Sequence, residues 1–73
     1  MEVWIACSAH RHGIANDGIL PAHRNAIRMV VTDEIAMLIG ADRSGRLLET
    51  GTPVQAESVT IIHAMPARAK YLK

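Results

Sequence analysis

The chain has 73 residues, 49% of them hydrophobic and 21% charged, with a formal net charge of +1. That length suits one domain, which buries only about 60% of the surface its unfolded form exposes, and the apolar content excludes wholesale disorder. Near-neutral charge excludes a polyanion binder that works by bulk counterion release, and the lone Cys7 excludes an internal disulfide.

The chain opens on Met1-Glu2-Val3-Trp4, with no basic stretch ahead of an apolar one, and holds no run of about 18 apolar residues. A cytoplasmic protein outside the membrane is therefore expected. From Val3 to His12, the spacing of Trp4, Ile5, Ser8, Ala9 and His12 predicts a helix, although Val3-Trp4-Ile5 alone also suits a strand; Gly13 follows as a left-handed cap. Asn16-Asp17 offers a cap for a second helix running through Ile19, Leu20, Pro21, Ala22, His23, Ala26 and Ile27. Pro21 falls near its first turn.

The period then changes. Ile27 to Val31 reads as a strand, Thr32-Asp33-Glu34 as a turn, and Ile35 to Gly40 as a second strand. Ala41 to Gly45 is a turn in which the glycine supplies a positive φ, Arg46 to Thr50 a third strand, Gly51 to Glu57 a loop, and Ser58 to Met65 a fourth strand. Helices followed by strands predict an α+β fold with two N-terminal helices packed on a four-stranded antiparallel meander.

Candidate chemistry gathers near the end. On the fourth strand His63 shares a face with Val59, Ile61 and Met65, either as a half-buried histidine satisfied by a carbonyl or as a general acid or base. Arg68 and Lys70 follow, and arginine's planar fork suits a phosphate. If the third and fourth strands pair, Arg46, Glu49, His63 and Arg68 line one edge of the sheet. Cys7, His10 and His23 raise the question of a metal, but Cys7-x-x-His10 lacks a second ligand pair, so neither metal nor cofactor is expected.

Two stretches together resemble a known family. His12-Gly13-Ile14, followed by a helix ending in Asn25-Ala26-Ile27, resembles the helix-to-helix signature of BrnT-type toxins. The closing Ile61-Ile62-His63-Ala64, with cations and Tyr71 downstream, is similar to that family's final segment. The similarity spans Trp4 to Tyr71.

The resemblance implies one RelE-like toxin domain over residues 1–73, a metal-independent endoribonuclease neutralised by a cognate antitoxin and acting on RNA, for instance on the ribosome. It puts His63 at the acid–base step, Arg68 and Arg46 on the phosphate, and Lys70, Tyr71 and Lys73 on the RNA. Where the family keeps an arginine this chain has Met65, so Arg68 takes that place. The alternatives are a non-catalytic interaction domain on the same fold and a metal module built on Cys7, His10 and His23. The small core also suggests a covering partner, either an antitoxin helix or a second copy.

Overall fold

The computed structural model describes residues 3–55 and 58–72. Lys73, expected to touch RNA, lies outside them, as does part of the loop expected before the fourth strand. Among the described residues there are one α-helix and six strands: β1 (Val3–Ile5), α1 (Asn16–Arg24), β2 (Ala26–Val31), β3 (Ile35–Ala41), β4 (Leu47–Pro53), β5 (Val59–Ile61) and β6 (His63–Pro66). Short 3-10 turns cover Cys7–His10 and Ala69–Tyr71. The architecture is α+β, but two helices on a four-stranded meander are not what forms.

The first expected helix is the main correction. Val3-Trp4-Ile5 pairs in parallel with Val59-Thr60-Ile61, making a separate two-stranded sheet. The β-branched Val3 and Ile5 pack against the core, whereas Trp4 points out and is 58% exposed. The surviving helix has nine residues: Asn16 is its first residue rather than its cap, and it stops at Arg24, short of the expected Ile27, because Ala26 and Ile27 enter β2.

The fourth expected strand also divides. The amide of Ile62 donates to the Gly51 carbonyl at 2.9 Å, and its carbonyl accepts the Ser8 hydroxyl at 2.8 Å. This break ends β5 and starts β6, so the alternation of faces resets there. Ile61 enters the main core, while His63, two residues on, lies on the opposite side of the larger sheet.

That larger sheet is antiparallel in the order β2-β3-β4-β6. One of its faces receives α1 and the core of Ala9, Ile14, Ile19, Ala22, Leu48, Ile61 and Ala64. The helix comes so close that a Cβ placed on Gly40 would stand 2.1 Å from the Ala22 carbonyl oxygen. Only glycine fits there. Gly45 takes the positive φ expected of its turn, 85°.

Candidate functional site

Pairing of β4 with β3 and β6 puts Ile39, Glu49 and Met65 in one cross-strand row on the sheet face away from α1, with His63 opposite Gly51 one step along. A carboxylate in such a row is costly to bury unless its oxygens are bonded. Glu49 is fully buried, and its oxygens are well supplied. Oε1 accepts the Arg68 amide at 2.9 Å and the Arg68 Nε at 3.0 Å; Oε2 accepts the Arg68 terminal nitrogen at 2.8 Å and bonds His63 Nε2 at 3.0 Å.

Arg68 follows β6 closely: the Ala67 amide donates to the Leu47 carbonyl, which carries the β4–β6 register one residue past Pro66, and the Arg68 amide then bonds the Glu49 carboxylate. The far end of that segment is held by Arg28, which donates to the Tyr71 carbonyl at 2.7 Å. Burial alone pushes the Glu49 carboxyl upward, but the Arg68 hydrogen bonds, helped by His63, outweigh it and hold the group below the usual carboxylate range. Glu49 raises the Arg68 guanidinium in return.

An ionised carboxylate has no proton to donate, so the His63 Nε2 carries the hydrogen in their shared bond and, in the neutral ring, Nδ1 holds the lone pair. Among the described residues Nδ1 has no hydrogen-bond partner, and the side chain is 25% exposed. Beside it stands His12, its ring centroid 5.7 Å away and its plane at 76°. The short turn after Cys7–His10 delivers it there. Tyr71 lies under two cations, with Arg68 Cζ 5.5 Å and Lys70 Nζ 5.0 Å from its ring centre.

Of the four residues expected along one edge, His63 and Arg68 meet at Glu49, and Tyr71 with Lys70 lies beside Arg68. Arg46 is not with them. It is tied to Asp42 at 3.2 Å and lines an open cleft of about 320 Å³ at the start of α1, together with Asp17 and Arg43. Asp42 is held below its ordinary value first by the Ser44 hydroxyl and also by backbone amides and Arg46.

No family model, curated protein or solved structure matches this chain.

Glu49 was expected on one edge with His63 and Arg68, but its burial and its bonds to both were not legible from the strand pattern, in which a single acidic residue ordinarily faces water. His12 escaped the sequence reading as a member of the site, because only the break at Ile62 and the packing of the Cys7–His10 turn on β6 bring it beside His63. The residues considered for a metal have separate surroundings: Cys7 is exposed, His10 bonds Asn16, and His23 Nδ1 lies 3.3 Å from Thr50 Oγ1.

Proposed function

We propose that the chain cleaves RNA without a metal, as the toxin of a toxin–antitoxin pair. The observation that carries this reading is the coupling of His63 to the buried Glu49 on one side and its contact with His12 on the other. Two imidazoles side by side supply a base and an acid at once. His63 Nδ1 takes the proton from a ribose 2′-OH as that oxygen attacks the adjacent phosphorus, and His12, protonated, gives a proton to the departing 5′-oxygen. The products are a 2′,3′-cyclic phosphate and a 5′-hydroxyl.

Glu49 orients His63 and stabilises the cation it becomes, much as a carboxylate does in a catalytic triad. Lys70 and the outward side of Arg68 offer positive charge to the phosphorane. The resemblance of His12-Gly13-Ile14 and the closing segment to BrnT-type toxins supports the same reading and suggests an antitoxin as its partner.

Controlled expression in bacteria tests it. The wild type is expected to arrest growth, with His63→Ala and His12→Ala each relieving the arrest at equal protein levels; harmless wild-type expression counts against the proposal. A second reading, a non-catalytic interaction domain, is favoured by the commitment of Arg68 to Glu49, which also suits a clamp holding the last residues over the sheet. Unaltered behaviour of His63→Ala beside loss of partner binding in Arg68→Ala would favour that clamp.

A further inference from the structure

β2 is an outer strand of the larger sheet, yet three of its six residues are large, apolar and exposed: Ile27 at 78%, Met29 at 62% and Val31 at 55%. Such an edge invites another strand. The Thr32 amide donates to the Ile35 carbonyl at 2.9 Å, so antiparallel alternation commits the backbone groups of Val30 and Arg28 to β3. Those of Met29 and Val31 face outward. The residues with free backbone groups are therefore the ones with exposed apolar side chains.

We propose that this edge joins two copies of the chain, β2 against β2, about a two-fold axis through Met29. Antiparallel pairing in that register sets Met29 against its own copy and Val31 against the partner's Ile27, so the exposed apolar residues meet one another. It also sets Arg28 against the partner's Val30, so the two arginines are not opposed. Beyond the strand, the acidic turn of Asp33 and Glu34 comes to the end of the partner where Arg24 closes α1. Charge and apolar pattern are both self-complementary in one register, and this favours a second copy over a foreign strand. The two sheets become one of eight strands.

Sedimentation equilibrium over a range of concentrations, with disulfide trapping, tests this. The wild type is expected to approach twice the chain mass, and Met29→Lys to stay at the monomer mass with an unchanged circular dichroism spectrum. With Cys7 replaced by serine, Met29→Cys is expected to cross-link on oxidation at least tenfold faster than Val54→Cys, because directly opposed residues in such a pair have Cα atoms about 5.5 Å apart, within disulfide reach. A wild type that stays monomeric at millimolar concentration overturns the proposal, as does a dimer untouched by Met29→Lys. Equal cross-linking at positions 29 and 54, or uptake of only a foreign strand on this edge, overturns it too.

Discussion

Glu49 keeps its charge between Ile39 and Met65 because Arg68 and His63 together provide four hydrogen bonds. Glu49→Gln is expected to cost about 1–3 kcal/mol, since the amide turns a donor toward groups that are themselves donors; denaturant titration checks this, and a neutral result would deny the clamp. The same group sets an acid limit. Its folded carboxyl titrates below its unfolded value, so the unfolded chain binds more protons between the two, and the stabilisation present above the unfolded value is lost as pH falls through the folded one. Asp42 acts in the same direction. His23, lowered from 6.5 by burial, begins earlier: below about pH 6.5 the unfolded chain takes up a proton that the folded one resists, so stability falls as pH drops from 7 towards 5. His23→Gln should flatten that upper part of the pH–stability curve while leaving the lower part. An unchanged slope between pH 7 and 5 would show that another group is responsible.

At the scale of elements, contact between α1 and β3 depends on Gly40. Gly40→Ala forces its Cβ onto the Ala22 carbonyl and should cost about 3 kcal/mol or more, lowering the thermal midpoint by more than about 10 °C. A midpoint within two degrees of wild type would contradict the packing described. Gly40 was legible in the sequence only as the end of a strand, since nothing local shows which backbone will lie across it. Strands β2 and β3, the turn at Gly45 and the body of α1 were legible because local pattern and turn chemistry decide them. β1 was legible only as the alternative to a helix, because three residues are held extended by a partner more than fifty positions away. The division of Val59–Met65 at Ile62 was hidden for the same reason: a hydrogen bond from Ile62 to Gly51 interrupts an otherwise regular pattern. That break separates His63 from Ile61, with which an unbroken strand would have it share a face.

In the whole molecule, one sheet face is covered by α1 and its core, and the last residues, clamped through Arg68 and Arg28, cross the other. Among the described residues no helix is long and apolar enough to cross a membrane. Gly51 keeps room for the site, since a Cβ there would stand 3.2 Å from both the His63 Cβ and the Met37 sulfur. Under the proposed chemistry, Gly51→Ala is expected to lower RNA cleavage through a displaced His63 while the protein remains folded; cleavage equal to wild type in that variant would show that His63 tolerates movement. The proposed chemistry itself is tested most directly with purified protein, a short RNA and the same RNA carrying one 2′-deoxy sugar, all in excess chelator. Cleavage that leaves 2′,3′-cyclic phosphate ends, stops at the 2′-deoxy position and disappears in His63→Ala is the predicted result. Intact RNA with the wild-type protein, or equal cleavage by His63→Ala, would contradict it.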